Sequence, residues 1–154
     1  MVLGFIHEMI REEFVVVDFS KLSLVQKLGY IAVGLFGIVM VLQLLLAAGI
    51  LPVSMAWGGR NTELTLSLRF SSLIAVILLC YFAYVIARKA GILGTTPPSG
   101  LIRFLGWLVT VYMVFNTVMN FLSRSPAEKW VFGPITLALV ILTASINLMN
   151  DPNQ

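Results

Sequence analysis

Four apolar runs constrain this chain more than anything else in it. They cover about 28–51, 70–87, 101–122 and 130–149. Each holds roughly 18–24 residues, and a helix rising 1.5 Å per residue needs about 20 to cross a hydrocarbon core of ~30 Å. A helix closes its backbone hydrogen bonds internally, as lipid demands. The runs therefore predict an all-α, integral membrane four-helix bundle. Composition agrees: 59% of the 154 residues are apolar and 11% are charged, against about 45–50% and about 25% in a soluble domain. A globule of this size has too much surface to hide that excess, so the surplus needs lipid.

The chain divides into an N-terminal segment, 1–20, and a four-span domain, 21–154. Within the first segment Ile6, Met9, Ile10 and Phe14 fall on one side of a helix, and His7, Glu8, Arg11 and Glu12 on the other. This pattern fits an amphipathic segment lying on the membrane surface; a helix packed on a partner, or a tail, fits equally. Four acids and no long apolar core in the first twenty residues speak against a cleavable signal. Pro52 marks the end of the first run, and Arg88 and Lys89 close the second. Residues 63–68 alternate polar and apolar, which suits a short strand or an extended lead into the second helix, the latter preferred. Residues 94–100 are rich in turn formers. The short connection 123–129 forces the last two helices into an antiparallel hairpin.

Several chemistries are excluded. Cys80 is the only cysteine, so no disulfide can close within the chain, and His7 is the only histidine, so multi-histidine metal sites and bis-histidine haem are out. No metal and no cofactor are expected. The net charge of +3 comes from scattered basic residues that flank the apolar runs, a pattern suited to anionic lipid and not to nucleic acid. Arg11, Lys21, Lys27, Arg88, Lys89 and Arg103 lie on one side of the membrane; Arg60, Arg69, Arg124 and Lys129 lie on the other. The bias predicts cytoplasmic termini.

Polar residues lean to the half of the bundle nearest the first and third loops. Gln43 is the only strongly polar side chain of the first run, and Ser71 and Ser72 open the second. Asn116, Asn120 and Arg124 follow at i, i+4, i+8, one stripe of the third helix. Amides facing lipid would go unsatisfied, so the stripe should face inward. There it either holds helices together or meets a ligand. Ser125-Pro126-Ala127-Glu128 reads as a helix start, with Ser125 as cap, Pro126 in the first turn and Glu128 completing a capping box; Glu128 as an acid, a base or an ion-pair partner of Arg124 or Arg60 is the alternative. Trp130 then suits an interfacial anchor, and Pro134 a kink. Trp57-Gly58-Gly59-Arg60 suits a lid or headgroup clamp, because the glycines permit positive φ or close backbone approach; an interfacial tryptophan beside a flexible loop is the plainer reading. Trp57, Arg60 and Trp130 are expected together at one mouth of the bundle. Cys80, Tyr81 and Tyr84 read as core or lipid contacts.

Ala56-Trp57-Gly58-Gly59, Asn116, the stretch Ser123-Arg124-Ser125-Pro126-Ala127-Glu128-Lys129-Trp130, and Pro134 resemble an uncharacterised family of small bacterial four-span membrane proteins. The resemblance covers the chain from about residue 28 onward. It implies the four-span fold and a bacterial cytoplasmic membrane, and it implies no activity.

Three functions follow from these residues. The first is a binding protein that holds a membrane lipid or other amphiphile in a pocket in one half of the bundle. Its candidate residues are Trp57, Arg60, Arg69, Asn116, Asn120, Arg124, Glu128 and Trp130, and the arginines favour an anionic head. The second is an accessory subunit contacting a membrane-protein partner or a second copy of itself. The third, an enzyme acting on lipid, is the weakest. The runs hold no Asp or Glu, the chain offers no Ser-His or Cys-His pair, and no catalytic residue is assigned.

Overall fold

A computed structural model describes residues 18–61 and 63–149. The amphipathic pattern in 2–16 lies outside the described residues. Four helices are long and apolar enough to span a bilayer: α1 (Leu24–Ala48), α2 (Leu66–Lys89), α3 (Gly100–Leu122), and α4 (Gly133–Leu148) with the π-helical turn Glu128–Phe132 that leads into it. No strand occurs among the described residues. The protein is an all-α, multi-pass integral membrane protein.

The first three helices begin earlier than hydropathy alone suggests, because polar caps precede the apolar residues. Ser23 caps α1: its hydroxyl accepts from Gln26 N at 3.3 Å, and the Gln26 side chain returns the bond to Ser23 N at 3.0 Å. Thr65 caps α2 and Ser99 caps α3 in the same way, through Leu68 N and Ile102 N. Residues 63–65 are thus a lead into a helix. At its other end α1 stops at Gly49, three residues before Pro52; Gly49 takes φ 80°, and its N–H reaches Leu46 O at 3.0 Å. Pro134 has no N–H to give, and the backbone just before it runs i→i+5, with Gly133 N bonded to Glu128 O.

The helices form a ring. α1 packs most extensively on α2 and α3 on α4; α1 against α4 and α2 against α3 close the circle, the last being the thinnest of the four contacts. Phe36, Val85, Ile86, Leu139 and Ile146 fill the centre, where the Phe82 ring meets Phe36 and Tyr112 edge-on at 6.4 and 5.0 Å. The outer surface is apolar as well: Ile77, Phe104 and Leu148 are all mostly exposed, as lipid solvation requires.

The start of α1, end of α2, start of α3 and end of α4 share one end of the bundle, where the fit is close. A Cβ on Gly29 would lie 2.5 Å from Ala90 Cβ, and one on Gly106 would lie 2.4 Å from Asn147 Oδ1. Small residues let membrane helices approach in this way. Several polar groups at this end find partners: Gln26 Nε2 donates to Gly91 O at 3.2 Å, Asn147 Nδ2 to Thr110 Oγ1 at 3.0 Å, and buried Lys89 to Met149 O at 3.5 Å, while Asn147 Oδ1 is buried without a hydrogen bond. The opposite end, under the first and third loops, is built differently.

Candidate ligand-binding cavity

A cavity of about 630 Å³ opens beneath those two loops, within the ~300–1,000 Å³ of typical small-molecule sites. All four helical spans contribute to it. Its floor is apolar and buried: Val39 of α1, Leu79 of α2, Met113 of α3 and Leu139 of α4. Above the floor come three amides, Gln43 from α1 and Asn116 and Asn120 from α3. The mouth carries Trp57, Arg60, Arg124 and Glu128.

The mouth is shaped by backbone conformation. Trp57, Gly58 and Gly59 take φ values of 58°, 79° and 68° in succession, a left-handed turn that is routine for glycine and uncommon for tryptophan. The turn brings Gly58 N to both carboxylate oxygens of Glu128, at 3.2 and 3.0 Å. It also seats Gly59 so closely on the third loop that a Cβ there would lie 2.8 Å from Ser125 N. Glu128 accepts a further bond from Ser123 Oγ. The first loop is thus fastened to the third through one carboxylate.

That carboxylate corrects the expected capping box. Ser125 does cap, its Oγ accepting from Glu128 N at 3.4 Å, but Ser125 N donates to Ser123 Oγ, at 2.9 Å, and not to Glu128. With Glu128 held by a backbone amide and a hydroxyl, Arg60 and Arg124 stand at the rim without a hydrogen bond or ion pair among the described residues. Both are exposed.

The amides sort into satisfied and unsatisfied groups. Asn120 Nδ2 donates to Asn116 Oδ1 at 3.2 Å and across to Thr136 Oγ1 of α4 at 3.3 Å. Asn120 therefore ties α3 to α4 while both asparagines line the cavity. Gln43 Oε1 is buried with no donor among the described residues.

Six of the eight residues singled out from sequence come together here: Trp57, Arg60, Asn116, Asn120, Arg124 and Glu128. Arg124 arrives by an unexpected route. α3 ends at Leu122 and Ser123 is extended (ψ 156°), so Arg124 belongs to the loop and not to the helical stripe. Arg69 lies elsewhere. Its Nη1 donates to Ala47 O at 2.8 Å, capping the end of α1 beside a separate groove formed with Leu44, Leu66, Phe70 and Leu73. Trp130 does not line the cavity that Trp57 and Arg60 line; it is 77% exposed. The extra residue of the π turn changes which way its side chains point, which spacing in sequence does not reveal. Gln43 was legible as the one polar residue of its span, whereas Thr136 and the apolar floor carried no signal that would separate them from ordinary packing.

No known family, no curated protein and no solved structure matches this chain.

Proposed function

We propose that the protein binds an amphiphile with an anionic head, its apolar tail on the cavity floor and its head between Arg60 and Arg124. The observation that carries this reading is the layering of the cavity: apolar floor, amide belt, two arginines at the rim. Two guanidiniums face one carboxylate, and that carboxylate is already occupied. Access from the bilayer is supported by Phe115, Met119 and Leu122, which line the cavity and are also exposed on the outer surface of α3, beside the thin α2–α3 contact. The bias of basic residues supports cytoplasmic termini, and the resemblance to small bacterial four-span proteins suggests a bacterial cytoplasmic membrane; the mouth then lies on the outer face.

Trp57 supplies the test. With Trp107 and Trp130 replaced by Phe, Trp57 is the only tryptophan of the chain. Lysophosphatidylglycerol and lysophosphatidylcholine with brominated chains are titrated in nonionic detergent, and quenching is followed. The anionic lipid is expected to quench at a several-fold lower concentration, a modest ratio because exposed ion pairs are worth at most about 1 kcal/mol each. The Arg60→Ala/Arg124→Ala variant is expected to lose the preference. Equal quenching by both lipids in the parent protein would overturn the anionic head, and no quenching by either would overturn the cavity as a lipid site.

A further inference from the structure

Gln43 and Asn116 stand at one depth on opposite helices. Gln43 is five residues from the end of α1 and Asn116 six from the end of α3, about 8–9 Å along each axis at 1.5 Å per residue. Their free functions are complementary. Gln43 Oε1 is a buried acceptor lacking a donor. Asn116 Oδ1 is engaged by Asn120, and Asn116 Nδ2 makes no hydrogen bond among the described residues. The belt therefore offers one acceptor and one donor below two cationic side chains.

We propose that this belt selects amphiphiles with a free hydroxyl between an anionic head and a single chain, the class of monoacyl glycerophosphates, and that Gln43 determines the selection. The inference rests on the amphiphile-binding reading above. A hydroxyl suits the belt because it donates and accepts through one atom: its O–H reaches Gln43 Oε1 while its oxygen accepts from Asn116 Nδ2. A diacyl glycerophospholipid presents two esters at that level, and esters only accept. In the orientation it holds here, Gln43 Oε1 would stay without a donor beneath it, and sites built to hydrogen-bond a hydroxyl reject analogues lacking one for that reason. The cavity's volume of about 630 Å³ also favours one chain over two.

The test uses the full chain with Trp57 as its only tryptophan. Two ligands with brominated chains are compared: monoacyl glycerol 3-phosphate and its 2-deoxy analogue, identical in head and tail and differing in the one hydroxyl. The deoxy compound is expected to bind roughly ten- to a hundredfold more weakly. In Gln43→Leu the hydroxyl ligand is expected to fall to the level of the deoxy compound. Gln43→Met, unbranched like glutamine, repeats the measurement should leucine disturb packing, and thermal unfolding without ligand checks that both variants stay folded. Equal binding of the two ligands to the parent protein overturns the inference, a water then satisfying Gln43, and leaves the amphiphile site standing. Hydroxyl discrimination that survives in Gln43→Met overturns the role of Gln43. Quenching by neither ligand overturns the amphiphile reading itself.

Discussion

The two ends of this bundle use similar residues to opposite effect. At the closed end Asn147 donates to Thr110 across the α3–α4 contact, and its Oδ1 lies against the backbone of Gly106, where no Cβ would fit. That oxygen is buried without a hydrogen bond, in close contact with the neighbouring helix. At the open end Gln43 Oε1 also lacks a strong donor, but a cavity wall stands there in place of a neighbouring helix. Glycines differ likewise. Gly29 and Gly106 bring helix to helix; Gly58 and Gly59 bring loop to loop over the cavity. A polar residue in a membrane helix is thus a fastener or a potential ligand contact according to what stands opposite it.

The contrast breaks most readily where Gly29 meets Ala90. Gly29→Ala sets a Cβ 2.5 Å from Ala90 Cβ, a contact with no flexible side chain to yield. It is expected to cost about 1–3 kcal/mol, the usual range for overpacking, and to leave Trp57 quenching by anionic lysolipid in place. Thermal unfolding in detergent beside quenching measures both. Loss of binding equal to the loss of stability would mean the two ends are not separable.

Gly59→Ala is expected to cost about 1–2 kcal/mol from its left-handed φ alone, and more through the collision with Ser125. Unlike Gly29→Ala, it should also change the cavity, because it pushes the first loop off Glu128. The expected sign is weaker anionic-lysolipid quenching together with lower stability. Unchanged quenching would show that the loop fastening does not shape the mouth.

Asn147→Leu and Asn120→Leu sharpen the comparison further. Each removes an interhelical hydrogen bond, worth on average roughly 0.6 kcal/mol and at most about 1.7. Comparable losses of stability are expected, with ligand retention in native mass spectrometry lost for Asn120→Leu alone. Retention by both variants would reduce the asparagines of the open end to fasteners.

The smallest effect belongs to Gln43→Leu. It removes a buried acceptor that has no partner, so stability without ligand should change by less than about 0.5 kcal/mol or rise slightly. A loss beyond 1 kcal/mol, read from the same unfolding curves, would place Gln43 with the fasteners.

Much of the architecture is readable along the chain, because hydropathy and length are summed locally and the bilayer sets the length required. The four spans and the antiparallel last hairpin follow from that, whereas the expected lean of polar residues toward the first and third loops is offset by Gln26, Lys89, Thr110 and Asn147 at the other end. Helix starts were displaced because Ser23, Thr65 and Ser99 are polar and so fall outside an apolar run, although their caps extend the helix. Arg69 and Trp130 departed from the expected site for a different reason. Both sit at the right depth, and depth follows from position in the sequence. The direction in which a side chain points depends on where a helix ends, on the extra residue of a π turn and on which neighbour is within reach. Arg69 found a free carbonyl at Ala47, and Trp130 was turned outward. Depth in the membrane was therefore settled by the order of residues. The facing of each side chain, and with it the division of amides between fastening and an open cavity, was settled only by packing, because that division depends on distances between segments far apart in the chain.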